Sequence, residues 1–236
     1  MGWKSWTKED WAQHLALPTN ERTCTSGDGF GFFTDSEVTD ATGISAGSLR
    51  LLQAKGALQA TKAPAIGGGY LRVWHEIQVG KAAIIAALNR ATGIGLRKSS
   101  AIINCMSDDS WTDVFETTRS HVVKDGVILS YPGELILDIV MNKYIMLRTS
   151  DNSDIIGKIP SPTLIGHIVN EHADVIVFGE KGMITGADNE FFDAHALVEN
   201  YTFKTSINLS VSSNAAYLRL MKREILEIYA PTGDKS

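Results

Sequence analysis

The stretch "DSEVTDATGISAGSLRLLQAKGAL", residues 35–58, decides how the chain begins to fold, because it sets two short apolar periods either side of one glycine, Gly43. Thr34 or Asp35 can cap a first helix carrying Val38 and Ala41. Gly43 supplies a left-handed residue for a sharp turn, and Ile44 plugs the corner. Ser45 caps a second helix in which Leu49 and Leu52 face inward while Ser48, Arg50 and Gln53 face out, and Gly56 closes it. Two short helices across a tight glycine turn form a helix-turn-helix unit, whose second helix is sized for the major groove of DNA. Similar pairs also occur in purely structural bundles, so this stretch alone leaves both readings open.

Downstream, "QATKAPAIGGGYLRVW" places Pro64 and three glycines before an alternating run, the pattern of a β-hairpin wing. Tyr70, Arg72 and Trp74 point one way, Leu71 and Val73 the other. An almost wholly apolar helix follows through Ile77, Val79, Ala82, Ile85 and Leu88. It breaks at Gly93, and a second helical piece begins near Leu96. So apolar a helix is expected to be buried, partly against a second subunit. Upstream, residues 7–17 read as a helix capped by Thr7 and stopped by Pro18, and "TNERTCTSGDGFGFF" reads as a glycine-rich connection without helical period. Its glycines lack the strand and helix that a phosphate-binding loop requires.

From about Phe33 to Ile103 the order of parts resembles the winged DNA-binding domain of the MerR-type transcription regulators. The resemblance rests on Gly43-Ile44-Ser45, Leu49-Arg50, Gly56-Ala57-Leu58, the wing closing on Arg72-Val73-Trp74, the apolar helix and the "TGIGL" turn. Leu51 and Leu52 stand where the family has aromatic residues after the helix arginine, Thr39 stands for its first-helix alanine, and no long heptad run follows Met106. The resemblance covers about 70 of 236 residues and implies a helix-turn-helix that binds double-stranded DNA.

Charge agrees with a one-faced polyanion binder. The chain carries −5 overall, yet residues 34–100 hold eight Lys and Arg against four Asp and Glu, which is +4 and leaves −9 for the rest. No apolar run is long enough to span a membrane, and the start lacks a secretion signal, so a cytoplasmic protein is expected. The two cysteines, Cys24 and Cys105, fit reduced thiols.

Residues 107–236 read as mixed α/β. "GVILSY", "ELILDIV", "KYIMLRTS", "DIIGKI", "DVIVFGE" and "YTFKTSINLSVS" read as strands, and "TLIGHIVNEHA", "NEFFDAHALVEN" and "NAAYLRLMKREILEIYA" as helices. His121, His167, His172 and His195 lack metal-ligand spacing, and Asp188, Glu190 and Asp193 read as solvated helix-start carboxylates. With no nucleophile elbow and no reactive cysteine setting, no catalytic, cofactor or metal site is assigned, and the chain is not expected to be an enzyme.

The expected fold class is therefore α+β. Residues 1–32 form a helix and glycine-rich connection, 33–106 a MerR-like winged helix-turn-helix domain, and 107–236 a mixed α/β domain for dimerisation, a small-molecule effector or a protein partner. The expected DNA-contacting residues are Ser45, Ser48, Arg50, Lys55, Lys62 and Arg72. Each has a plainer reading: Arg50 as the surface partner of Glu37 or Asp40, Arg72 as a ladder residue, Lys55 and Lys62 as solvated lysines. One module with four to five phosphate contacts binds weakly at physiological salt, which predicts a homodimer on the duplex. The rival expectation is a protein-interaction adaptor on the same scaffold that never touches DNA.

Overall fold

The computed structural model describes residues 3–22 and 31–119 and, between 122 and 220, the strands and the helix named below. The architecture is mixed α+β. After a 3-10 turn at Trp3–Ser5, helix α1 spans Lys8–Ala16. Thr7 caps it reciprocally: its hydroxyl accepts the Asp10 N–H at 3.2 Å, and the Asp10 carboxylate accepts the Thr7 N–H at 2.7 Å. Past Pro18 the chain makes one further helical turn, α2, Thr19–Arg22, where the sequence was expected to be non-helical. The cause is long-range. Arg22 turns inward, donating to the carbonyls of Leu17 and Leu15 at 2.9 Å each and to Glu37 at 2.7 Å, so tertiary bonds hold a turn too short to show a period.

Strand β1, Phe32–Thr34, leads directly into α3, Asp35–Thr42. Thr34 is the cap, in a second reciprocal box with Glu37. Gly43 ends α3 at φ 77°, in the left-handed region where a side chain would be strained. Helix α4, Ala46–Ala54, begins at Ser45, whose hydroxyl accepts the Ser48 N–H at 3.2 Å. A hairpin follows, β2 Ala60–Pro64 and β3 Tyr70–His75, and β1 joins it to give the antiparallel order β1-β3-β2. Its register sets Lys62 opposite Arg72 and Pro64 opposite Tyr70. Helix α5, Glu76–Thr92, ends at the left-handed Gly93, and α6, Leu96–Ile103, and α7, Asp108–Arg119, complete this part.

Farther on, β4 Val122–Lys124 pairs with β5 Val127–Ile128. Strands β6 Leu135–Val140 and β7 Tyr144–Thr149 are the centre of a larger antiparallel sheet. "DIIGKI" is a two-strand hairpin, β8 Ile155–Ile156 and β9 Ile159–Pro160, where one strand was expected. Then come β10 Thr163–Ile168, β11 Val175–Val177, β12 Ile184–Thr185, β13 Lys204–Asn208 and helix α8, Leu209–Leu220. The large sheet runs β11-β10-β7-β6-β13, with β12 also on β10. Two expectations change here. Residues 163–168, read as the start of a helix, form β10, because pairing on both flanks with β7 and β11 outweighs a helix-like spacing of Leu164, Ile165 and Ile168. Residues 209–212, read as the end of a strand, already belong to α8. The expected helix at 189–200, the acidic cluster, Cys24, His121, His172, His195 and residues 221–230 lie outside the described residues.

One apolar core joins the two halves. Phe33, Leu49, Trp74, Ile84 and Trp111 share it with Leu137, Leu147, Ile207 and Leu220, so it crosses the boundary drawn at residue 106. Helix α8 carries this connection by packing on α5 and α3. Arg219 donates to the Ala41 carbonyl at 3.0 Å, and the Thr19 hydroxyl donates to that of Leu220. Helix α5 is thus covered over most of its length by its own chain, with Asn89, Arg90 and Ala91 of its last turn exposed. A smaller cluster, Trp11, Phe32, Ala63 and Val73, fastens α1 to the back of the hairpin. Within it His14 accepts the Phe32 N–H at 3.2 Å, and burial, then the charge of Arg22, pulls its pKa down to about 4.

Candidate nucleic-acid interface

Helix α4 shows how a short helix divides its surface. Only Leu49 and Leu52 are buried, and both are fully so. At 100° per residue the opposite ridge is Gly47, Arg50, Leu51 and Ala54, the i, i+3, i+4, i+7 set, and all four are exposed. Two small residues therefore flank one cation and one apolar side chain, giving a slim ridge. Ser48 and Gln53 lie on its shoulders, half-buried.

The six expected contact residues fare differently. Ser45 and Ser48 bond to each other, hydroxyl to hydroxyl at 3.0 Å, and Ser45 also caps the helix, so these two hydroxyls first serve the fold. Arg50 is exposed, and neither Glu37 nor Asp40 takes it; it has no ion-pair partner among the described residues. Lys55 is exposed at the far end of α4, where its N–H closes the helix onto the Leu51 carbonyl. Lys62 is exposed on β2 beside Arg72.

Arg72 is different. Its Nε donates to Asp35 Oδ1 at 2.8 Å, its second terminal nitrogen pairs with Asp35 Oδ2, and its first reaches Gln53 of α4 at 3.4 Å. The guanidinium lies 5.6 Å from the centre of the Trp74 ring, and Trp74 Nε1 donates to Asp35 Oδ1 at 2.7 Å. Arg72 is thus the joint between hairpin, α3 and α4. The Arg72 hydrogen bonds hold the Asp35 carboxyl below the usual carboxylate range, opposed by burial and helped by Trp74 and the charge of Arg50. Glu37 is likewise lowered: burial raises it, but Arg22 and Thr34 more than reverse that. Two of the three acids on α3 are therefore matched by arginines. Asp40 remains exposed.

Sequence reasoning missed the apolar part of this edge. Among the described residues the large hydrophobic side chains that stand exposed are Leu51 at 47%, Ile66 at 77%, Tyr70 at 71% and Leu71 at 47%, all on α4 or the hairpin. A count of cations could not find them, but the "AIGGGYL" run shows them in plain view. Cys105 is buried, and burial pushes its thiol up to about 12, so it is no nucleophile at neutral pH. No helix among the described residues is long and apolar enough to cross a membrane. Comparison of the chain with models of known protein families, with characterised proteins and with solved structures found no match.

Proposed function

We propose that the chain is a DNA-binding transcriptional regulator that reads duplex DNA through a MerR-like winged helix-turn-helix, with α3 and α4 as the helix pair and β2–β3 as the wing. One observation carries the reading. Two of the acids on α3, Asp35 and Glu37, are occupied by Arg72 and Arg22, while Arg50 on α4 and Lys62 on the hairpin stand exposed with no ion-pair partner among the described residues. A surface so arranged presents net positive charge to a polyanion. In this reading Leu51 enters the major groove, suited to a thymine methyl, while Arg50, Lys55 and Lys62 meet phosphates. Ser45 and Ser48 supply hydroxyls at the helix start. Arg72 acts from behind as a positioning residue that fixes the angle between wing and helix.

Three cations give a single copy only weak, non-specific affinity, so the regulator acts as a homodimer, with residues 107–236 receiving an effector or a protein partner. The protein is placed in the cytoplasm, with no cofactor and no enzymatic role. The second reading is a protein-interaction adaptor, favoured by the exposed Leu51, Ile66, Tyr70 and Leu71. Binding to random-sequence duplex at two salt concentrations separates them. With three phosphate contacts, the affinity of a single copy should drop about 40-fold between 50 and 200 mM salt, and that of a dimer more steeply. Arg50→Glu with Lys62→Glu should abolish binding without unfolding the protein; normal binding by this double variant would refute the assignment.

A further inference from the structure

The tip of the β2–β3 hairpin contains a residue that the fold does not explain. Ala65 to Gly69 close the hairpin through Gly68 N–H to the Ala65 carbonyl and Ala65 N–H to the Gly69 carbonyl, both at 3.1 Å. Ile66 and Gly67 are the central residues of that turn. Gly68 and Gly69 have φ of 93° and 76°, which accounts for glycine at both. Gly67 lies outside the left-handed region, and a Cβ added there would meet nothing within 4 Å. Neither conformation nor packing calls for glycine at 67. Gly47, on the α4 ridge, is alike: a Cβ there would make only an ordinary contact, 3.9 Å from the Ser45 hydroxyl, and a glycine inside a helix costs roughly 0.5–1 kcal/mol against alanine. Both glycines are exposed. Bare backbone at such places lets an outside surface come close.

Ile66 and Tyr70 flank this tip, where the Ile66 carbonyl accepts from Lys8 Nζ of α1 at 3.1 Å, and they are the two most exposed large apolar side chains described. Lys62 follows two residues behind the Pro64–Tyr70 rung, about 7 Å back along the strand. The minor groove of B-DNA is about 6 Å wide and 7.5 Å deep, so with the tip at its floor Lys62 stands just outside the rim, from where its long side chain reaches back to the phosphates. Resting on the DNA-binding reading above, we propose that the hairpin tip enters the minor groove and that Ile66 wedges between two base pairs at a flexible step, with Gly67 giving the clearance and Tyr70 lying against the groove wall. Inserted aliphatic side chains of this kind partly unstack a step and kink the duplex, and TA steps yield most easily. The cationic collar of Lys62 suits this occupant better than an apolar protein surface, against which an unmatched lysine would be buried at a cost.

The test uses the full chain and a 30-base-pair alternating dA–dT duplex with 2-aminopurine replacing one adenine. Binding of the native protein should raise 2-aminopurine fluorescence at least twofold, as the probe leaves the stack. Ile66→Ser and Gly67→Val, both at open positions, should keep the native melting temperature and salt dependence, bind about tenfold more weakly and lose the fluorescence rise. An unchanged probe in the native complex, or native behaviour of both tip variants, overturns the wedge. If Arg50→Glu with Lys62→Glu still removes binding in that case, the DNA-binding reading survives alone. Absence of any binding at low salt overturns both. Should Ile66→Ser instead reduce self-association of the DNA-free protein, the tip docks on a second copy and the proposal fails.

Discussion

Helices α4 and α5 lie close together in the chain and use their surfaces in opposite ways. Of the seventeen residues of α5, eleven are buried, among them Gln78 and Lys81, which bond to Asp108 at 3.0 and 2.6 Å. Of the nine in α4, two are. Even polar positions of α5 are drawn into the fold, and even apolar positions of α4, such as Leu51, are left outside it. A helix that invests so little area in its own molecule has the rest available for something else, whereas α5 keeps only its last turn, Asn89 to Ala91, in the open.

This contrast can be broken in order of size. Ile85→Ala in α5 should cost about 2–5 kcal/mol in urea unfolding, while Leu51→Ala in α4 should stay within about 0.5 kcal/mol of native. A large cost at Leu51 would mean that its face is covered. Next, Arg72→Ala should cost about 1–3 kcal/mol, since it strands the part-buried Asp35 with Trp74 alone. The same variant should leave the salt dependence of DNA binding as it was, whereas Arg50→Ala should make it shallower by about 0.9 in log–log slope for each bound copy. An equal fall in slope for Arg72→Ala would return that residue to the contact set.

A third effect concerns α1, which closes the back of the hairpin. The folded His14 titrates near 4 against an ordinary value of 6.5, so the unfolded chain takes up its proton first as pH falls. Stability from this group is complete above pH 6.5 and is lost on the way down to about 4, with a slope of at most about 1.4 kcal/mol per pH unit. His14→Gln, which keeps an acceptor for Phe32 N–H, should flatten the urea midpoint across that window. The smallest effect, about 1 kcal/mol, is expected from Thr34→Ala, which removes one half of the α3 capping box. A circular-dichroism melt would register it.

What could be read in advance was what the chain writes locally. Thr7, Thr34, Gly43, Ser45 and Gly93 mark helix ends within three or four residues, and each does its expected job. The relations between distant residues were not legible. Asp35 and Arg72 are 37 positions apart, and nothing near either shows that the second neutralises the first. Arg22 likewise draws α2 into being through partners up to 15 residues away. Strand β10 carries an apolar spacing that fits a helix as well as a strand, and only its neighbours in the sheet decide. Of the candidate site, the cations were visible in the sequence. The apolar tip was visible too, but nothing in it asks for attention until Gly67 proves to have no internal reason.

The seat of α8 on α3 and α5 also has a temporal meaning. About 117 residues separate Thr92 from Leu209, so at 5–20 residues per second a ribosome needs roughly 6–23 s between releasing the one and reaching the other. Throughout that interval the nascent α5 displays greasy flank that its final cover has not yet been translated to hide. The segment through α5 thus completes its packing late, and its burden in the cell falls on whatever shields emerging chains.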